Sequence, residues 1–450
     1  MVYLSQGGSE LGGYRAIAYK ALKAAQVSIG DIIRIVRDGE VYEGSLMPRS
    51  ELGDDKHVVI KLASGYNIGV RVTSDCKIEK IGVGPKPTYT HMVMEIGGRG
   101  LPRVDVISTG GTIVSRVDYR TGAVEPALSA SDLYSAVPEL SELADIRAHI
   151  LYSELSENIT PKHWSGMASK IFEVIRSGTS GVVVCHGTDT MGYTSAALSF
   201  ALRNLPVPVI LVGSQRSSDR PSSDAATNLM GAVASASKAP FATVAVAMHE
   251  STSDDAILLH RGTRVRKCHT SGRYAFKSIN SQPLARYILQ TGHLEVYCHE
   301  IQKRDPERNV ELKNNFEERV LHLKFYPGMR SEIIDWAIGE GYRGIVIEGT
   351  GLGHVSRTLQ ASISRAVKNG ILVGMTSQCL YGRVNMNVYS TGRDLLSVGV
   401  QPLEDMIPET ALVKMMWALG QTDNVEEAER ILKTNIEGEI SQRTLYDDPP

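Results

Sequence analysis

Val104-Asp105-Val106-Ile107-Ser108-Thr109-Gly110-Gly111-Thr112-Ile113 is the stretch whose reading decides the fold. Its β-branched run predicts a buried strand. The strand breaks abruptly at two glycines, which permit a sharp turn and leave bare backbone N–H groups open to close approach. Thr112 then offers a hydroxyl at the strand's C-terminal end, where open α/β sheets bind ligands. Taken alone, the stretch reads equally well as a glycine turn with β-branched flanks.

A second stretch repeats the grammar. Gly181-Val182-Val183-Val184-Cys185-His186-Gly187-Thr188-Asp189-Thr190 is an apolar strand, a glycine, then hydroxyls and a carboxylate. Two strands ending this way imply one cleft lined by both. Together, Thr109–Ile113 and His186–Thr190, about 75 residues apart, resemble the two signature motifs of bacterial-type L-asparaginases.

The chain of 450 residues is long for one domain, so two or three are expected. Net charge is only −2, so no global field attracts nucleic acid or membrane. Five scattered cysteines, an odd number, argue against a disulfide framework and for a reducing cytoplasm. No basic segment followed by an apolar run opens the chain, so no signal peptide is expected. No window reaches the apolar length that spans a bilayer.

Asp38-Gly39 between Ile29–Arg37 and Glu40–Leu46 is a strong hairpin signal. With His57–Leu62 and Tyr66–Val70, and a helix over Tyr14–Ala25, it predicts a small N-terminal β-barrel over residues 1–85. Residues 86–101 lie in a Gly/Pro-rich linker. From 102 to 300, strands Val182–Val184, Val209–Val212 and Thr243–Met248 alternate with helices Ser129–Val137, Thr160–Ile175, Thr194–Leu202 and Ala225–Ser237. That spacing predicts an α/β domain with a mostly parallel sheet. The charged segment 301–320 reads as a second linker. A smaller α/β domain over 321–450 follows, with helix Glu332–Gly339, strand Gly344–Glu348, helix Arg357–Lys368 and strand Ile371–Thr376. Helices Glu409–Gly420 and Val425–Thr434 close it. The fold class is α/β, an asparaginase-like two-domain parallel-sheet architecture preceded by the small β-barrel.

An amide is a poor electrophile, and its nitrogen leaves only when protonated. Its hydrolysis needs a nucleophile, a base, oxyanion donors and a proton source. A threonine hydroxyl needs an adjacent base, which a desolvated lysine neutral near pH 7 supplies. A carboxylate beside that lysine holds it in place but favours its charged form, so burial must outweigh it. The resemblance places that lysine at Lys267, in Gly262–Lys267, and not at Lys277 of Phe276–Asn280. Without the resemblance, Lys267 reads as a surface lysine in an Arg/Lys-rich loop.

Residue by residue, the resemblance implies that Thr112 is the nucleophile and that Thr188, Asp189 and Lys267 form the second hydroxyl–carboxylate–lysine set. Which threonine attacks stays open from the residues themselves. It further implies that Ser156 and Glu157 bind the substrate's α-carboxylate and α-amine, with Gly111 and Gly187 beside them. Val212–Arg216, Ser223-Asp224 and Asn228-Leu229 match a third family segment. Tyr119 is the one nearby counterpart of the family's lid tyrosine, in the segment Ile113–Thr121. The resemblance covers roughly 102–420.

The added N-terminal domain and linker resemble the GatD family, the D-type subunits of archaeal-type glutamyl-tRNA(Gln) amidotransferases. That resemblance implies an ammonia-releasing chain acting on glutamine or asparagine. It also implies an E-type partner subunit that handles Glu-tRNA(Gln), and a homodimer within a heterotetramer. ATP and Mg are then expected at the partner, with no cofactor in this chain. A free cytoplasmic L-asparaginase is the alternative, and a catalytically dead tRNA-binding scaffold is the non-enzyme reading. Intact Thr112, Thr188, Asp189 and Lys267 weigh against the scaffold.

Other motifs are weaker. Gly349–Gly353 lacks the dinucleotide-loop spacing, because His354 stands at the last glycine position. No Gly-x-Ser-x-Gly elbow marks a serine hydrolase. Cys185-His186, Cys268-His269 and Cys298-His299 invite a zinc reading, but neighbours on a strand point to opposite faces and no Cys-x-x-Cys or His-x-x-x-His spacing supports one, so no metal site is expected.

Overall fold

The computed structural model describes residues 11, 13–47, 49, 54–62, 67–73, 75–83, 100–110, 115–117, 124–126, 133–134, 137–216, 223–298 and 301–444. Gly111, Thr112 and Tyr119 lie outside these residues. So do residues 84–99 of the linker, most of the segment 113–121 and most of the helix expected over 129–137.

The N-terminal unit is a five-stranded antiparallel sheet. Its order is Asn67–Arg71, His57–Lys61, Glu40–Leu46, Ile32–Arg37, Lys77–Gly82. The expected hairpin turns at Asp38 (φ 50°) and Gly39 (φ 81°), both left-handed as a two-residue turn of this hand requires. Alternation along the strands buries Ile33, Ile35, Leu46, Val58 and Ile60 completely. Ala18 and Leu22 of helix Ala16–Ala24 cover that face.

The large unit holds an eight-stranded sheet. From one edge to the other the strands are Asp145–Ile150, Arg103–Ser108, Gly181–Cys185, Val209–Val212, Val244–His249, Ala256–Arg261, Ala285–Ile288 and His293–Val296. The first five pair in parallel. The last three are antiparallel. The reversal has a local cause: the connection from His249 to Ala256 is far shorter than the dozen or more residues a parallel crossover needs.

Both faces of the sheet are covered, which is why its central strands Gly181–Cys185, Val209–Val212 and Val244–His249 are buried from end to end. Ile107, Val182, Val184, Val209 and Leu211 pack on one face with Met167 and Ile171 of helix Pro161–Arg176 and Leu198 of helix Met191–Ala201. Val104, Val106, Val183, Ile210 and Val212 face the other way, onto Leu229 and Val233 of helix Ala225–Lys238. Pro161 opens its helix behind a Thr160–His163 capping box, as the Thr-Pro pair foretold.

The small unit is a four-stranded parallel sheet, Val320–Lys324, Gly344–Gly349, Leu372–Ser377 and Gln401–Pro402, in sequence order. Helices Glu332–Gly339 and Arg357–Lys368 cover one face. Helix Pro408–Gln421 covers the other and also packs on the large unit, where Trp417 stacks on Phe200 at 5.6 Å. Segment 301–320, expected to be an irregular linker, is held in place. Its strand Glu311–Leu312 pairs with Leu202–Arg203, and Trp417 Nε1 donates to Lys313 O at 2.7 Å. Among the described residues, no helix is long and apolar enough to cross a membrane.

Two buried histidines set an acid limit on this fold. His186 and His260 are each 1% exposed. Burial pushes their pKa values down to about 4 and about 3, with Lys277 adding repulsion at His260. In the unfolded chain both titrate near 6.5. Below that pH the unfolded state takes up protons that the native state refuses. Their contribution to stability is therefore full above about pH 6.5 and is lost as pH falls toward the native values. By pH 4, His186 alone withdraws on the order of 3 kcal/mol. Denaturant midpoints measured from pH 7 to pH 4 should fall accordingly. In His186→Asn the amide replaces the ring donor without titrating, so part of that slope should vanish. An unchanged slope would place the acid lability elsewhere.

Candidate active site

The site forms where two neighbouring parallel strands end. Register places Ser108 of Arg103–Ser108 opposite Cys185 of Gly181–Cys185. Beyond that point the backbone N–H and Oγ1 of Thr109 both donate to Cys185 O, at 3.1 and 2.9 Å. Gly110 turns away with φ +118°, and a Cβ there would sit 2.0 Å from Glu154 O. Only glycine fits, so the exit of the first motif is fixed in direction. Residues 115–117 and 124–126 beyond it form a short antiparallel pair.

At the second strand end, His186 is a strut. One neutral tautomer satisfies its whole ring: Nδ1–H donates to Gly187 O at 2.7 Å, and Nε2 accepts from Thr194 Oγ1 at 2.9 Å. Trp164 Nε1 in turn donates to Thr194 Oγ1 at 3.1 Å. Both ring nitrogens are engaged, so His186 offers no free nitrogen to a metal. Its partner in the suspect pair, Cys185, is sealed in the sheet at 1% exposure. Among the described residues, no group of three metal-binding side chains gathers, and His299 lies outside them.

Thr188 and Asp189 occupy the turn between this strand and helix Met191–Ala201. Lys267 arrives from the hairpin Val265–Lys267/Phe276–Ser278. Its Nζ donates to Thr188 Oγ1 at 2.9 Å and to Asp189 Oδ1 at 2.7 Å. The lysine side chain is 15% exposed and the aspartate 70%, so the carboxylate faces outward over a mostly covered amine. Lys277 is elsewhere, with its ammonium 5.7 Å from the centre of the Tyr274 ring.

Ser156 stands against the same turn. It opens a single 3-10 turn, Ser156–Asn158, and is 4% exposed. A Cβ at Gly187 would come within 2.8 Å of Ser156 Cβ, and Thr190 Oγ1 donates to Ser156 O at 2.6 Å. Glu157 follows on the exposed side. The structure thus unites Ser156, Gly187, Thr188, Asp189 and Lys267, with Glu157 adjacent in the chain.

Three supports stood in the quoted motifs without a role assigned to them. Thr190 ties Ser156 to the motif, although its own place in that motif carried the signal. Gly213 follows strand Val209–Val212 as Gly187 follows its strand, and a Cβ there would meet Thr188 Cγ2 at 2.8 Å. Asp224 knots the third strand end: it accepts from the Gln215 and Arg216 N–H groups and from Asn228 Nδ2, which also donates to Gly213 O. A hydroxyl, an amine and a carboxylate in one hydrogen-bonded set at a strand-end cleft can relay a proton during acyl transfer.

Comparison with known proteins gives this geometry its family. Residues 103–302 match the family model "Asparaginase, N-terminal". Residues 319–432 match "Glutaminase/Asparaginase C-terminal domain", and 27–81 match "GatD N-terminal domain". Among solved structures, the thermostable L-asparaginase from Thermococcus kodakarensis superposes with a TM-score of 0.67 at 34% identity, covering 75% of this chain and 99% of its own. L-asparaginase I from Vibrio cholerae gives 0.66 at 28%, covering 76% and 99%. Relatives along nearly the whole length include the D subunit of the glutamyl-tRNA(Gln) amidotransferase from Pyrococcus abyssi, 52% identical over 95% of this chain and 98% of that one. The D subunit from Methanopyrus kandleri is also 52% identical, over 96% and 95%. With all three segments present in order and half the residues shared, the chain belongs to the GatD family, the D subunits of glutamyl-tRNA(Gln) amidotransferases.

Proposed function

We infer that this chain is the amide-hydrolysing subunit of a tRNA-dependent amidotransferase. It releases ammonia from the side chain of glutamine or asparagine, and the ammonia converts Glu-tRNA(Gln) to Gln-tRNA(Gln). The observation that carries the reading is Lys267 Nζ bridging Thr188 Oγ1 and Asp189 Oδ1. In the proposed reaction a threonine hydroxyl adds to the amide carbon and passes its proton into the Thr188–Lys267–Asp189 set. The collapsing adduct expels its nitrogen, protonated, as ammonia. Water then cleaves the threonyl ester and restores the hydroxyl. Family resemblance makes Thr112 the nucleophile. Thr188 would then relay the proton between it and Lys267. Ser156 and Glu157, with the outward carboxylate of Asp189, suit the α-carboxylate and α-amine of an amino-acid substrate.

Partner and cofactor follow from what this chain lacks. Its net charge of −2 gives little grip on phosphates, and its sequence holds no Walker-type loop. The nucleic-acid contacts and the ATP and Mg chemistry are assigned to an E-type partner subunit, in a cytoplasmic complex built on a homodimer of this chain. The rival reading, a free L-asparaginase, draws on the structural match to such enzymes over three quarters of the chain.

Two outcomes test this. Lys267→Arg keeps the charge but cannot serve as a base at neutral pH. Its turnover should drop by roughly 10²–10⁴-fold with folding unchanged, as loss of a general base does. Near-wild-type turnover would remove Lys267 from the chemistry. The purified chain alone should hydrolyse glutamine and asparagine slowly, and faster once partner and Glu-charged tRNA(Gln) are added. Full turnover without them would establish the free asparaginase instead.

A further inference from the structure

The strand that delivers Lys267 is three residues long, Val265–Lys267. Among the described residues Val265–Lys267 pairs with Phe276–Ser278 alone, as a separate two-stranded sheet. An isolated hairpin of this size is not stable on its own, so side-chain anchors must set its position. Those anchors alternate with the strand. Val265 is buried and Lys267 reaches Thr188, whereas Arg264 and Arg266 point to the small unit. Arg266 Nε lies 3.3 Å from Glu409 Oε1, at the start of helix Pro408–Gln421. Arg264 is 1% exposed. Its Nη1 donates to Asp405 O and lies 3.0 Å from Asp405 Oδ2. Asp405 O also accepts from Asn280 Nδ2, so one residue clamps both arms of the hairpin.

The remaining Arg264 donors go to the C-terminal segment 435–442. Nε donates to Gly438 O at 2.8 Å and Nη2 to Ser441 Oγ at 2.9 Å. This strap is itself fastened on both sides. Glu437 O accepts from Arg261 and Thr263 of the large unit. Glu439, fully buried, pairs with the equally buried Lys414 at 2.5 Å. Ser441 N–H donates to Asp405 Oδ1 at 2.9 Å, and Gln442 O accepts from Arg383 at 3.0 Å.

We propose that Arg264 is a positioning residue for Lys267, held in place by Asp405 and by the strap Glu437–Ser441. Three residues of extended backbone, about 10 Å, separate Arg264 from the lysine it places. The fork matters because its donors reach different segments at fixed angles, which a lysine cannot do. Chain segments far from the reacting atoms thereby set the lysine's distance to Thr188. A misplacement of about 1 Å there suffices for a roughly 100-fold loss.

The proposal rests on Lys267 belonging to the proton-transfer set, so Lys267→Arg is measured alongside. In the full chain with its partner complex, kcat and KM for glutamine are determined for Arg264→Lys and Ser441→Ala, below their unfolding transitions and with native circular dichroism. Arg264→Lys should lower kcat roughly 10- to 100-fold with KM within about twofold. Ser441→Ala, which removes one acceptor and keeps the core intact, should lower kcat by about threefold or more, again at constant KM. If both variants melt earlier yet keep wild-type kcat, or if KM rises in step with any loss, Arg264 is structural only and the proposal falls. Wild-type activity in Lys267→Arg would instead overturn the reading of the site itself.

Discussion

Lys267 can touch Thr188 and Asp189 only if two independently built parts meet to within a hydrogen bond. One part is the parallel sheet, whose register aligns Ser108 with Cys185 so that both signature motifs leave the sheet at the same height. The other is the small hairpin that carries the lysine. Side-chain direction alternates along a strand, so a one-residue slip in either would turn a site residue into the core. The 2.7 and 2.9 Å contacts of Lys267 Nζ therefore report on the registration of the whole large unit.

The sheet resists such slippage because both of its faces are sealed. Its central strands are buried from end to end, and the turn after each is fixed by a specific close approach: Gly110 against Glu154, Gly187 against Ser156, Gly213 against Thr188. Where polar side chains are buried beside the site, at His186 and Asp224, their hydrogen bonds are answered. The small unit is not an appendage to this arrangement. Helix Pro408–Gln421 shares a core with Trp164 and Phe200 of the large unit, and its N-terminal approach bears the carboxylates that meet Arg264 and Arg266. The hairpin that carries Lys267 is thereby fastened to the small unit.

Much of this was legible in the residues. Strand Arg103–Ser108, the hairpin at Asp38-Gly39 and the helix after Thr160-Pro161 announce themselves through β-branched runs, a turn dipeptide and a cap. Two motifs sharing one grammar pointed to neighbouring strand ends, and register sets Ser108 beside Cys185. Strand Asp145–Ile150 was missed because charged and polar residues, Asp145, Arg147 and His149, break its apolar pattern. The antiparallel edge Ala256–Val296 was missed for a different reason: direction is set by connection length, which periodicity does not reveal. Ser156 was placed by resemblance, but its packing on Gly187 follows from the loop's path. Arg264 looked like one more charge in a basic loop. Its role depends on residues 405, 438 and 441, which only tertiary structure brings near.

The central claim is that amide cleavage passes through an ester on a threonine served by the Thr188–Lys267–Asp189 set. The most direct measurement is intact-mass and peptide mapping of the protein quenched during turnover of a slowly hydrolysed amide analogue of glutamine. The account predicts one acyl group per chain, on Thr112 or Thr188, released by hydroxylamine as an ester is. An adduct on any other residue, or none under conditions that yield a burst of ammonia, would contradict it.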